Sequence, residues 1–151
     1  MTSSMSMAGV DLPVAKEMKV LGVVLDQRLT FSKHASAVAR SCNYHAQAIR
    51  HIRHLLTTDL AQTLACSLIL SRIDYYNAVL HGAPTYTIRK LQRVQNNAAR
   101  IVLQAPRRSH ATPLLNTLHW LPVQQRIDYK VALLTFKVRS TATPSYLHHL
   151  L

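Results

Sequence analysis

Residues Thr85–Gln104 read TYTIRKLQRVQNNAARIVLQ. Ile88, Leu91, Val94, Ala98, Ile101 and Val102 recur at three- and four-residue steps. Arg89, Arg93 and Arg100, flanked by Lys90, Asn96 and Asn97, take the other side. This is the 3.6-residue period of an amphipathic helix with one apolar face and one strongly basic face. Such a helix must bury its apolar stripe against neighbours, which predicts a helical bundle rather than a sheet protein.

The flanking sequence extends the pattern. Gly82-Ala83-Pro84 closes the preceding helix, expected over Asp59–Leu80, with turn chemistry. That helix is apolar on most sides (Leu60, Leu64, Leu68, Ile69, Ile73, Tyr76, Leu80), with only a narrow polar stripe through Gln62, Thr63, Ser67, Ser71, Asp74 and Asn77. It therefore belongs in the bundle's centre. Thr57-Thr58-Asp59 supplies an N-cap. Upstream, Val38, Cys42, His45, Ile49, Ile52 and Leu56 predict a helix over Lys33–Leu55. Met18–Asp26 (MKVLGVVLD) predicts a short strand ended by Asp26, and Ser3–Met7 with Val10–Leu12 a weaker hairpin around Ala8-Gly9. Downstream, Ala105–Ser109 is a basic loop. Thr112-Pro113 is expected to cap a short helix reaching Leu118, Pro122 to start a helix to Arg139, and Thr143-Pro144 to cap a last one over Ser145–Leu151.

Composition narrows the function classes. Three glycines in 151 residues leave too few turns for an all-β fold, and the 48% apolar content is that of a globular chain. No apolar run approaches membrane-spanning length, and Met1–Met7 lacks the basic start and apolar core of a secretory signal. Two cysteines make neither a disulfide framework nor a metal site by themselves, so a reduced, intracellular protein, nuclear or cytoplasmic, is expected. The net charge is +12, and it is uneven: residues 75–151 hold ten basic residues and one acid, Asp128. A field of that sign concentrates polyanions, and nucleic acid is its usual partner. An anionic membrane, ribosomal packing or a neutralising neighbour domain are the other surroundings that suit such charge.

Residues for catalysis are scarce. Asp26, Asp59, Asp74 and Asp128 stand apart in sequence, whereas two-metal phosphoryl chemistry needs clustered carboxylates. Asp74-Tyr75-Tyr76 has no second Asp, and Asp74 reads as a polar-stripe residue or an ion partner within a helix. Nine histidines do not form metal-ligand spacings: His51 and His54 are three apart, His148 and His149 adjacent, and Cys42 and Cys66 lie on apolar faces. His45 reads as a core histidine. No cofactor and no metal are expected. The remaining candidates are basic. Arg89, Arg93 and Arg100 share one helix face, Arg107 and Arg108 follow in the loop, and Arg126, Lys130 and Lys137 form a second row on the Pro122–Arg139 helix. Guanidinium groups chelate phosphate oxygens bidentately, and these helices lack the mixed signs of an ordinary solvated face.

The residues also carry a family resemblance. Lys19-Val20-Leu21-Gly22-Val23-Val24-Leu25-Asp26 with Leu29-Thr30-Phe31 and His34 resembles a block that follows the palm motifs of non-LTR (LINE-type) retrotransposon reverse transcriptases. Ser71–Ala78 (SRIDYYNA), Leu91–Arg100 (LQRVQNNAAR), Leu118–Val123 (LHWLPV) with Arg126–Lys130 (RIDYK), and Pro144-Ser145-Tyr146-Leu147 resemble four further blocks in the same order. The resemblance implies the last palm strand running into the helical thumb, the part that holds template–primer duplex. It implies that the palm motifs with the metal-binding aspartates, and the fingers, lie outside this chain.

The expectation is thus a mainly α chain: residues 1–31 as a palm remnant with a small β hairpin or strand element, then residues 32–151 as a five- to six-helix thumb-like bundle. Such a fragment of an RNA-directed DNA polymerase would bind RNA/DNA hybrid or duplex backbone without regard to sequence. It would carry out no polymerase chemistry of its own, and the parent's palm and fingers are a further expected partner. The alternatives are a domesticated helical protein-interaction module and a non-functional translated relic.

Overall fold

The computed structural model of the chain describes residues 4–7, 9–13 and 15–150. Two antiparallel hairpins come first. Strand β1 (Ser4–Met7) pairs with β2 (Val10–Pro13), and β3 (Glu17–Val20) with β4 (Val23–Asp26). The first hairpin agrees with expectation, although Ser3 and Ala8 lie outside the described residues. The single strand expected over Met18–Asp26 is instead the second hairpin, in register Val20↔Val23. Its turn residues Leu21 and Gly22 both have positive φ, 48° and 85°, the twist that two-residue hairpin turns favour. A leucine in that conformation conceals the turn from a propensity reading.

The remainder is helical: α1 (Ser32–Ile52), α2 (Thr58–Ala65), α3 (Ser71–Asp74), α4 (Thr85–Val102), α5 (Ala111–Thr117), α6 (Val123–Thr141) and α7 (Ser145–His148). A 3₁₀ turn, Arg53–Leu55, extends α1, and a π-helical segment, Cys66–Leu70, joins α2 to α3. Thr57 caps α2 as expected, its Oγ1 accepting from the Leu60 amide at 3.3 Å. The caps expected at Thr112 and Thr143 do not form. Helix α5 already begins at Ala111, so Thr112 lies inside it, and α7 follows Pro144 with no side-chain cap. Leu151 lies outside the described residues.

The helix expected over Asp59–Leu80 is interrupted twice. Thr63 and Ser67 donate their hydroxyls back to the Asp59 and Thr63 carbonyls at 2.9 and 2.8 Å, and Ser71 does the same to Ser67. Back-bonding of this kind bends helices, and the wide turn lies within this ladder. Beside it Arg72 Nη1 donates to the Leu68 carbonyl at 2.8 Å and Cys42 Sγ to the Ile69 carbonyl at 3.6 Å. Helical geometry then breaks after Asp74, because Tyr75 is extended and Tyr76 has φ 54°, and resumes as a 3₁₀ turn over Asn77–Leu80. Asp74 is therefore at a helix end, not mid-helix. Tyr75 leaves to donate its hydroxyl to the Leu21 carbonyl at 3.1 Å, fastening the second hairpin to the helices.

The core lies between α1, the α2–α3 rod, α4 and the start of α6. Ile69, Ile73, Leu91, Val102, Val123 and Ile127 are fully buried, each contributing about 1.5–3 kcal/mol of hydrophobic stabilisation. The apolar face of α4 buries as predicted. On α1 the buried line is Ala35, Ala39, Cys42, Ala46 and Ile49, one step round from the expected face; His45 is half-buried and Ile52 exposed. Alanines carry this contact because they let two backbones approach closely, and their weak hydrophobicity hides them from a periodicity count.

Candidate nucleic-acid interface

Helices α1 and α4 pack side by side, and the rims of that contact are polar. On α1 the rim is Asn43, Gln47 and Arg50, continued by His54 in the 3₁₀ turn; on α4 it is Lys90, Arg93, Asn97 and Arg100. Steps of three and four residues keep each set on one helix edge. Between them lie two adjoining hollows of about 520 and 540 Å³. The first is lined by Asn43, Gln47, Arg50, Lys90, Arg93, Asn97 and Arg107, the second by Arg50, Arg53, His54, Asn97, Arg100, Gln104 and Arg107, among others. Arg50, Asn97 and Arg107 border both, so the two form one groove. Among the described residues, no carboxylate lines it.

Hydrogen bonds set the groove's shape while leaving donors unused. Arg50 Nη2 donates to Asn97 Oδ1 at 3.2 Å, bridging the two rims, and Lys90 Nζ donates to Ser36 Oγ at 2.7 Å. Arg100 donates through Nε and Nη2 to the Ser109 carbonyl at 3.1 and 2.9 Å. That pair folds the loop after α4 back on the helix, helped by Gln104 at φ 51° and an Ala105 amide bond to the Arg100 carbonyl at 2.9 Å. The fold-back places Arg107 over the groove. Arg93 and Arg107 are exposed and make no side-chain hydrogen bond among the described residues, so the five N–H donors of each are unengaged there.

Arg53 forms the floor. Only 8% exposed, it donates to the Val102 carbonyl from Nε (2.9 Å) and Nη2 (2.7 Å), to the Leu56 carbonyl from Nη1 (2.7 Å) and to Thr58 Oγ1 from Nη2 (3.2 Å). A cation here answers the partial negative charge at the C-terminus of α4, and no acid is used.

The sequence-predicted residues divide between two places. Arg93, Arg100 and Arg107 line the groove; Arg89 is exposed on the same face of α4 one turn earlier, and Arg108 is exposed in the loop. Arg126, Lys130 and Lys137 do not line it. Arg126 Nη1 pairs with Asp74 Oδ2 at 2.7 Å and its Nε donates to the Leu121 carbonyl at 2.8 Å. Lys130 borders a separate hollow of about 280 Å³, and Lys137 is exposed further along α6. Asn43, Gln47, Arg50, Arg53 and His54 were not among the sequence candidates. The polar spacing 43, 47, 50, 54 on α1 and its 3₁₀ turn was the available signal, but only the helix pairing shows that this edge faces Arg93.

Three of the motif blocks meet in one polar network away from the groove. Gln95 Nε2 and Arg126 Nε both donate to the Leu121 carbonyl, Gln92 Oε1 accepts from the Val123 amide at 2.8 Å, and Arg126 reaches Asp74. SRIDYYNA, LQRVQNNAAR, and LHWLPV with RIDYK thus act largely as each other's scaffold, fixing α6 against α3 and α4. In the N-terminal block, Asp26 accepts from the Thr30 amide and hydroxyl (3.1 and 2.9 Å) and from the Phe31 and Arg28 amides, both at 3.0 Å. The Thr30 amide above all, then the other donors, holds this carboxyl below its ordinary pKa.

Chemistry other than anion binding finds few groups. Among the described residues no three of His, Cys, Asp and Glu gather as metal ligands, and no helix is long and apolar enough to cross a membrane. Burial pushes the Cys42 thiol up to about 11, with the Arg72 charge pulling weakly the other way, so it is a packing residue and not a nucleophile. The Asp74 carboxyl is raised by burial, which the Arg126 charge partly offsets.

The chain is 29% identical over 137 residues to "Probable RNA-directed DNA polymerase from transposon BS" of Drosophila melanogaster. No family model and no solved structure matches the chain. The match covers 84% of the chain and 14% of that relative's length. The chain is thus a distant relative of a transposon-encoded RNA-directed DNA polymerase, and it spans about a seventh of that protein.

Proposed function

We propose that this chain is the thumb-type, nucleic-acid-gripping part of a retrotransposon reverse transcriptase, holding template–primer backbone while chemistry belongs to other parts of such a polymerase. The observation that carries the reading is the α1/α4 groove. Arg50, Arg93, Arg100 and Arg107 converge on it from two helices and a loop, with no carboxylate among its described lining residues. The similarity to a transposon polymerase supplies the class of polyanion, and bidentate guanidinium contacts to phosphate supply the means. Backbone contacts carry no sequence information, so binding is independent of sequence.

Fluorescence anisotropy with a labelled RNA–DNA hybrid at low salt tests this. The unaltered chain binds, and Arg93→Glu with Arg107→Glu weakens binding at least tenfold. Lys137→Glu with Arg139→Glu changes net charge equally but away from the groove, and has a much smaller effect. No binding by the unaltered chain, or equal loss from both pairs, overturns the assignment.

A further inference from the structure

Helix α6 has two apolar faces, and the fold uses one. Val123, Ile127 and Val138 are its buried residues. On the other side Tyr129, Leu133 and Phe136 follow at steps of four and three, the spacing of a helix-pairing seam. Tyr129 is 62% and Phe136 68% exposed, and Leu121, 49% exposed, adjoins Tyr129 and Leu133 across the hollow of about 280 Å³. A second hollow, of about 590 Å³, lies beside Phe136. Exposed aromatics at helical spacing beside concave ground mark a recognition surface.

The borders of the seam identify its occupant. Lys130 and Lys137, seven residues apart, run along one side and Arg139 stands on the other. The acid on α6, Asp128, is engaged by Gln124 at 3.0 Å and lies 3.6 Å from His81. We infer that the outer face of α6 docks an acidic amphipathic helix of a protein partner. Its apolar residues enter the Tyr129–Leu133–Phe136 seam, and its carboxylates meet Lys130 and Lys137. A second copy of this chain fits poorly, since lysine rows would face lysine rows on two molecules each carrying +12. A flat anionic bilayer leaves the hollows beside Leu121 and Phe136 unfilled. This reassigns Lys130 and Lys137 from phosphate contact to protein contact, and stands independently of the groove.

The test uses the full chain and a designed three-heptad peptide with leucine at the a and d positions and glutamate at the flanking ones. Titration calorimetry gives saturable one-to-one binding. Binding falls at least tenfold with Phe136→Ser, with Lys137→Glu, and with a peptide whose leucines are serine but whose glutamates are kept. Both substituted residues are exposed, and circular dichroism checks that each variant stays folded. Equal binding by the serine peptide reduces the effect to bulk charge and overturns the inference, as does an unchanged Phe136→Ser. Sedimentation showing self-association lost with Phe136→Ser assigns the face to a second copy. Capture by anionic vesicles lost with that variant, without peptide binding, assigns it to a lipid surface. Affinity for the RNA–DNA hybrid is unchanged in Phe136→Ser, so this inference and the groove assignment fail separately.

Discussion

Arg53 shows how much one side chain contributes. Its guanidinium takes the Val102 carbonyl at the end of α4 and the Leu56 carbonyl after the 3₁₀ turn, tying the ends of α1 and α4 together beneath the groove. Arg53→Met keeps the bulk of the stem but leaves buried carbonyls without donors, at about 1–3 kcal/mol for each unsatisfied group. The urea midpoint drops by an amount equivalent to about 2–3 kcal/mol with an unchanged denaturant slope; a variant as stable as the parent removes Arg53 from this role. In sequence Arg53 is indistinguishable from the exposed Arg50, three residues earlier. Burial is a tertiary property, and a charge without a nearby acid gives no local sign that carbonyls await it.

At the scale of elements, the connection from β4 into α1 depends on Asp26. Its carboxylate gathers the Thr30 and Phe31 amides, and its pKa is lowered, so its stabilising effect is complete above the ordinary carboxylate range and is lost as pH falls through the lowered folded value. The protection factors of the Thr30 and Phe31 amides, which remove the intrinsic pH dependence of exchange, are therefore high at neutral pH and fall in acid, while Asp26→Ala lowers them throughout. Protection that ignores both pH and the substitution rules the loop clamp out. Asp74 has the opposite sign. Its pKa is raised, chiefly by burial, so the ionised form weakens the fold at neutral pH and the weakening is relieved as pH falls through the raised value. Asp74→Asn consequently leaves the thermal midpoint unchanged or higher. Arg126→Leu lowers it, because a half-buried carboxylate then loses its partner. Equal losses in the two variants contradict that asymmetry. The Asp74–Arg126 link spans 52 positions. Each residue is conspicuous in its own block, yet nothing in either block says that they meet.

For the whole molecule the governing quantity is charge distributed over shape. Each phosphate contact releases counterions, so log affinity falls with log salt by about 0.9 per contact. Measured from low to physiological salt, Arg93→Ala reduces that slope by about 1 and weakens binding to every sequence alike. A slope that does not move takes Arg93 off the backbone path. The basic character, the helical class and the two-faced α4 were legible in the chain, since period and charge are local properties. Arg93, Arg100 and Arg107 were legible as candidates for the same reason. What was not legible is that α1 supplies the groove's other wall, and that the α6 row of Arg126, Lys130 and Lys137 lies elsewhere.

The sequence by itself determined that the chain is mainly helical, which face of α4 is apolar, and that the chain carries a strong positive field. Each follows from spacing along a single element. The tertiary structure alone decided that Arg50 faces Arg93 across a groove, that Arg53 lies beneath it, and that the outer seam of α6 is left open. Those facts depend on which helix edges lie against one another, and edge pairing is set by the close approach of alanine-lined backbones and by carbonyls bonded across tens of residues, which no local period encodes.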